Sequence, residues 1–170
     1  MRLTAQDDYG LRCLAHLVRA GPSGCVTIAD IAEHESLSTA NVAKLMRQLR
    51  QAGLVTSIRG QKGGYRLARR PQDVRLSDVL EALGERLYSP CVCERYSGHN
   101  TECVHVADCA IRAIWSGLDR LAQTFLSFRT LSDLECTERA MTRRINQNMP
   151  ELMKLARPSS AGRPARGSSG

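Results

Sequence analysis

No run of 18 apolar residues occurs anywhere in the 170-residue chain, and a helix needs about that many to cross a bilayer. The amino terminus lacks the basic, apolar and small-residue regions of a secretory leader, so a cytoplasmic protein without a membrane partner is expected. There is no Cys-x-x-Cys at a helix start, no Ser-His-Asp order, no P-loop and no dinucleotide fingerprint, and these absences argue against an enzyme. The absence with most weight is of acid. From Ser38 to Arg70 there are eight Lys or Arg residues and no Asp or Glu. The formal charge is +7, from 24 basic and 17 acidic residues, so the rest of the chain sums to about neutral. Basicity confined to one stretch points to an anionic partner more than to a general solubility effect.

Cysteine, by contrast, is plentiful. The seven cysteines are an odd number, and in a reducing compartment such a set reads as metal binding or redox chemistry more than as a disulfide framework. Four of them, Cys91, Cys93, Cys103 and Cys109, fall within nineteen residues together with His99 and His105. Cys13, Cys25 and Cys136 sit within or beside apolar patterns and are expected to be buried as small hydrophobes.

Thr4 followed by Asp7 has the form of a capping box, and Tyr9, Leu11, Leu14, Leu17 and Val18 continue it as a helix that should stop at Gly21-Pro22. Thr27 can cap a short second helix carrying Ile28, Ile31 and Ala32, ending near Glu35. Ser38 can cap a third, with Val42, Leu45, Met46 and Leu49 at i, i+3, i+4 and i+7 and Gly53 as its stop. Two β-prone runs follow, Leu54 to Ile58 and Tyr65 to Leu67, around the turn Arg59-Gly60-Gln61-Lys62-Gly63-Gly64. The spacing predicts a helix-turn-helix with a hairpin wing over residues 1–86, Ser77 opening its last helix with Val79, Leu80 and Leu83 inward. The cysteine-rich loop occupies 87–109. Ile111, Ile114, Trp115, Leu118, Leu121, Ala122 and Phe125 then recur at helical intervals, which predicts a long dimerisation helix over 110–135, an ordinary core helix being the alternative. Residues 136–157 are helix-compatible but poorly patterned. The tail 158–170 is Ser, Gly, Pro, Ala and Arg, a composition that predicts disorder, and Arg157, Arg163 and Arg166 can add nonspecific attraction to DNA. The expected class is mainly α with a small β-hairpin.

Within this layout the third helix should present Ser38, Thr39, Asn41, Lys44 and Arg47 outward, and the amino-terminal side chains of such a helix meet base edges in a major groove. Arg50 should lie along the backbone. In the wing, Arg59 and Lys62 flank glycines that let the main chain approach phosphates, and an arginine there can enter a minor groove. A solvated basic face is the bland alternative, disfavoured because surfaces ordinarily mix charge signs.

These residues resemble the winged-helix regulators that include IscR, NsrR and RirA. The likeness lies in Met1-Arg2-Leu3-Thr4, in Ala40 to Leu67 with Gly53-Leu54-Val55 and Arg59-Gly60-Gln61-Lys62-Gly63-Gly64-Tyr65-Arg66-Leu67, in Leu76-Ser77-Asp78-Val79-Leu80-Glu81-Ala82, and in the cysteines. The resemblance implies a homodimer that binds palindromic promoter DNA, an inverted repeat, and an iron-sulfur cluster, 2Fe-2S or 4Fe-4S, whose state sets affinity for DNA. It also implies three cysteine ligands, best matched by Cys93, Cys103 and Cys109 with nine and then five residues between them, the first gap being longer than usual. Thiolates suit iron because they are soft, charged donors. Some relatives take a fourth ligand from a histidine at the position Arg112 occupies here, which removes that carry-over. Others use a carboxylate in the first helix of the partner subunit. Asp8 stands at that place, and complementing the helix dipole is its alternative role. Cys91, His99 and His105 are rival fourth ligands. Zinc remains an alternative metal, although paired ligands two to four residues apart are missing, and a thiol-disulfide switch near Arg95 is another. The expected function is a repressor sensing iron, iron-sulfur, redox or nitric oxide status; the competing class is a zinc-stabilised or thiol-switched DNA-binding regulator without a cluster.

Overall fold

A computed structural model describes residues 4–60, 63–84, 105 and 108–155. The first helix, α1 (Ala5–Arg19), opens on the expected capping box: the Asp7 amide donates to Thr4 Oγ1 at 3.3 Å and the Thr4 amide to Asp7 Oδ2 at 2.9 Å. Helix α2 (Ile28–Glu35) repeats the device with Thr27 and Asp30, at 3.1 and 3.0 Å. Each reciprocal pair satisfies amide donors that a helix end otherwise leaves open. Ser36, at φ 54° and ψ 43°, then turns the chain through the left-handed region. Two residues later Ser38 caps α3 (Thr39–Gln51), its hydroxyl accepting from the Asn41 amide at 3.2 Å.

The core lies where these helices meet. Leu14, Leu17 and Val18 of α1, Ile31 and Ala32 of α2, and Val42, Leu45, Met46 and Leu49 of α3 are all buried, at the spacing the sequence shows. After α3 the chain forms an antiparallel hairpin, β1 (Val55–Ile58) and β2 (Gly64–Leu67), with Val55 opposite Leu67 and Ile58 opposite Gly64. The strand expected from Leu54 starts one residue later, because the Leu54 amide donates to Leu49 O at 2.9 Å after Gly53 turns at φ +70°. That bond closes the carboxyl end of α3. Val26 and Tyr65 exchange backbone bonds at 3.0 and 2.8 Å, tying the wing to the segment before α2.

Helix α4 (Leu76–Leu83) has Arg75, not Ser77, at its N-cap position. The expectation fails by two residues because Leu76, 9% exposed, is drawn into the core as the first helical residue, while Ser77 Oγ donates to Asp78 Oδ1 at 3.2 Å. Val79 and Leu83 are buried and Leu80 is half-buried. Helix α5 (Ala110–Ser127) ends well before the expected residue 135. The chain turns back so that Leu131 enters the core, with the Leu76 amide donating to Arg129 O at 2.9 Å and the Leu131 amide to Val74 O at 3.0 Å. A Thr130-Asp133 capping box starts a short 3-10 turn there, Leu131–Glu135. Helix α6 (Glu138–Leu155) follows, with Pro150 inside it. No helix among the described residues is long and apolar enough to cross a membrane. The expected tail 158–170 lies outside the described residues.

Candidate nucleic-acid interface and metal centre

Helix α3 differs from its neighbours at its amino end. The first turns of α1, α2 and α4 carry Asp7 and Asp8, Asp30, and Asp78, whereas that of α3 carries no acid. A helix amino terminus holds unpaired amides and the positive end of the peptide dipoles, so without a carboxylate it is left to attract an external anion. Ser38, Thr39, Asn41, Lys44, Arg47 and Arg50 are all exposed, with the apolar face of the same helix fully buried. Among the described residues no acid pairs with Lys44, Arg47 or Arg59, while Arg70 is held by Asp73 at 2.8 Å. The Ser38 hydroxyl oxygen accepts the capping bond and keeps its hydrogen for another acceptor.

Arg59 is exposed where β1 runs into the wing turn. Gly60 adopts φ +120°, a conformation L side chains rarely enter. Gly64 is needed for another reason: a Cβ there would lie 2.5 Å from Val26 O. The two glycines fix a tight wing held close against the domain. Lys62 lies outside the described residues.

Of the expected cluster ligands, Cys91, Cys93, His99 and Cys103 lie outside the described residues. Cys109 is described. It is the N-cap residue of α5, half-buried, with its Sγ accepting from the Arg112 amide at 3.4 Å. That places a sulfur at the end of an 18-residue helix where negative charge is stabilised. Arg112 is therefore not a spectator: its backbone supports Cys109. His105 is exposed. Asp8 is exposed in the first turn of α1, with Arg12 Nε 2.9 Å from its Oδ2. Cys13 is fully buried, as expected, and burial pushes its thiol up from 9.0 to about 11, with the Glu35 carboxylate adding to the rise. Cys25 and Cys136 are only half-buried, contrary to expectation. Cys136 sits on the turn after Leu131–Glu135, where its Sγ donates to Asp133 O at 3.0 Å and so cannot sink into the core.

The structure also gathers a set the sequence does not announce. His16 of α1 and His34 and Glu35 of α2 place one ligand atom each within 4.8 Å of the others. Seventeen residues lie between the two histidines, and the packing of α1 against α2 joins them.

Residues 3–137 match the family Rrf2, described as iron-dependent transcriptional regulators. The chain is 37% identical over 134 residues to protein rrf2 of Nitratidesulfovibrio vulgaris, covering 79% of this chain and 87% of that protein. It is 28% identical over 161 residues to the HTH-type transcriptional regulator IscR of Klebsiella pneumoniae, covering 95% and 96% of the two chains. Among solved structures, IscR of T. potens aligns with a TM-score of 0.62 at 27% identity, over 79% of this chain and 85% of that one. CymR, the global cysteine regulator of B. subtilis, aligns with a TM-score of 0.64 at 27% identity, over 79% and 95%. The acid-free face of α3, the glycine-shaped wing and these likenesses agree, and the chain belongs to the Rrf2 family of winged-helix transcriptional regulators.

Proposed function

We propose that this regulator is a homodimeric repressor that binds an inverted repeat in promoter DNA and whose affinity follows the state of an iron-sulfur cluster. The observation that carries the DNA reading is the exposed, acid-free amino-terminal face of α3. In this reading Asn41, Lys44 and Arg47 reach base edges, Ser38 and Thr39 meet the backbone at the helix end, and Arg59 and Lys62 bring the wing to the adjacent groove. The dimer reading rests on α5, whose Ile114 and Trp115 are 66% and 46% exposed in the single chain. With Ile111, Leu118 and Leu121 they form an apolar stripe without cover among the described residues, the kind of face a second copy buries.

For the cofactor, the described part of the site fits: Cys109 offers a thiolate donor at a helix amino terminus, an end that favours an anionic group. Cys93, Cys103 and Cys109 would hold the cluster, with Asp8 of the partner subunit or Cys91, His99 or His105 as fourth ligand. When bound, such a group supplies a thiolate-linked crosslink sensitive to iron supply, oxidation or nitric oxide. The chain's own part is to connect that crosslink to DNA: Cys109 begins α5, and just past the other end of α5 Arg129 and Leu131 are bonded to Leu76 and Val74 of the winged domain. Coupling of this type is typically worth ~1 to 3 kcal/mol between sites. A second reading, a thiol-switched or zinc-stabilised regulator without a cluster, draws support from the likeness to the cysteine regulator CymR.

Anaerobic purification separates the two. The cluster reading expects brown protein whose visible absorbance is abolished by Cys93→Ala, Cys103→Ala or Cys109→Ala and kept by Cys25→Ala and Cys136→Ala. A colourless preparation, or one in which Cys103→Ala keeps the full spectrum, refutes this ligand set.

A further inference from the structure

We propose that His16, His34 and Glu35 form a second metal site, for a divalent transition ion of the zinc class, that clamps α1 to α2 independently of the cysteine loop. The three side chains come from two helices and converge until one ligand atom of each lies within 4.8 Å of the others. The imidazole rings meet edge to face, with centroids 4.5 Å apart and planes at 62°. His34 Nδ1 is 3.0 Å from Glu35 Oε1, close to the ~3.3 Å that two ligands at ~2.0 Å span around a tetrahedral ion. A donor of His16 lies within 4.8 Å of the other two.

The state of His16 favours a ligand. Its Nδ1 is buried and has no hydrogen-bond partner, an arrangement proteins rarely leave open. Burial and the neighbouring His34 hold its imidazole below the usual range, toward the neutral form that binds metals. Glu35 is only 13% exposed, and Arg19 Nη1 lies 3.9 Å from its Oε1, the oxygen that His34 Nδ1 also approaches. Orientation of a ligating carboxylate by an outer partner is a regular feature of metal sites.

Donor chemistry selects the ion. Two imidazoles and one carboxylate suit zinc, cobalt, nickel or ferrous iron, whereas magnesium and calcium prefer oxygen alone. His34, 54% exposed, leaves the fourth position open to water. The location gives the site a consequence, because Glu35 immediately precedes the left-handed Ser36 and lies three residues before the cap of α3.

The test uses the full chain in two backgrounds, wild type and a variant with Cys91, Cys93, Cys103 and Cys109 all changed to Ser, titrated with Zn2+ and Co2+ after chelation. The expected result is one Zn2+ per chain in the Cys-to-Ser background, a rise of several degrees in Tm on loading, and a weak visible Co2+ spectrum without thiolate charge transfer. His16→Gln and, at the exposed position, His34→Gln in that background should each lose the ion while keeping the chelated protein's circular dichroism. Absence of Zn2+ binding in the Cys-to-Ser protein, or retention of full binding by His34→Gln, overturns the proposal. Neither result bears on the iron-sulfur reading, which is measured in the wild-type background by its own absorbance.

Discussion

Cys13 shows how one buried group sets a pH limit on the molecule. Its thiol is fully buried and held up at about 11 from 9.0. A folded-state value above the unfolded one means that the contribution to stability is complete below pH 9 and is lost as pH rises toward 11. At ~1.4 kcal/mol per tenfold change, that alkaline loss is ~2 to 3 kcal/mol. Urea melts of wild type and Cys13→Ala at pH 8 and pH 11 should therefore converge at the higher pH, and parallel loss in both would disprove the assignment. At the wing, Arg59 is exposed and unpaired among the described residues. Arg59→Ala should weaken binding to operator DNA and lower the magnitude of the salt slope by about one per phosphate contact removed. An unchanged slope with unchanged affinity would remove the wing from the interface.

At the scale of elements, α5 buries less of its apolar side within one chain than the helices of the winged domain do. Its apolar stripe is exposed while the helices of the winged domain bury theirs. Trp115→Asp or Leu118→Asp should therefore shift the assembly from dimer to monomer in sedimentation with little change in the melting of the winged helix. A dimer of undiminished affinity in both variants would move the interface elsewhere. The sequence made α1, α2, α3 and the hairpin legible because each carries its own local signal: a capping box, a 3.6-residue apolar period, or a glycine turn. It was less informative at 127–135, where the helix stops because Leu131 has a place in the core, a long-range contact that no local pattern encodes. The same reason hides the His16, His34 and Glu35 cluster, since helices crossing in space bring together residues without a motif spacing. The expected ligands Cys93 and Cys103 rest on resemblance alone, while Cys109 has the helix-cap geometry as well.

For the whole molecule, the proposed dimer joined along α5 would bring two α3 helices to one operator. Dimers of this kind read half-sites in neighbouring turns, so the operator should be an inverted repeat with half-site centres about 10 base pairs, or a multiple of that, apart. Footprinting on a promoter fragment checks the spacing, and protection of one asymmetric half-site would contradict the dimer. The +7 charge, gathered largely between Ser38 and Arg70, also predicts fast, salt-sensitive association, measurable as an on-rate that falls steeply with ionic strength.

The backbone bonds from Leu76 to Arg129 and from Leu131 to Val74, just past the end of α5, would let that helix act as a lever pivoting near its carboxyl end in the proposed coupling. Its 18 residues give an arm of roughly 27 Å at 1.5 Å per residue. A tilt of about 5° at that end would sweep the Cys109 end through roughly 2 Å, and conversely a pull of that size at the sulfur would reach the winged domain as torque with little displacement. Gain in such a device is set by the stiffness of its pivot, so Arg129, Thr130 and Leu131 would govern how strongly the Cys109 end of α5 and the winged domain feel each other in the proposed coupling.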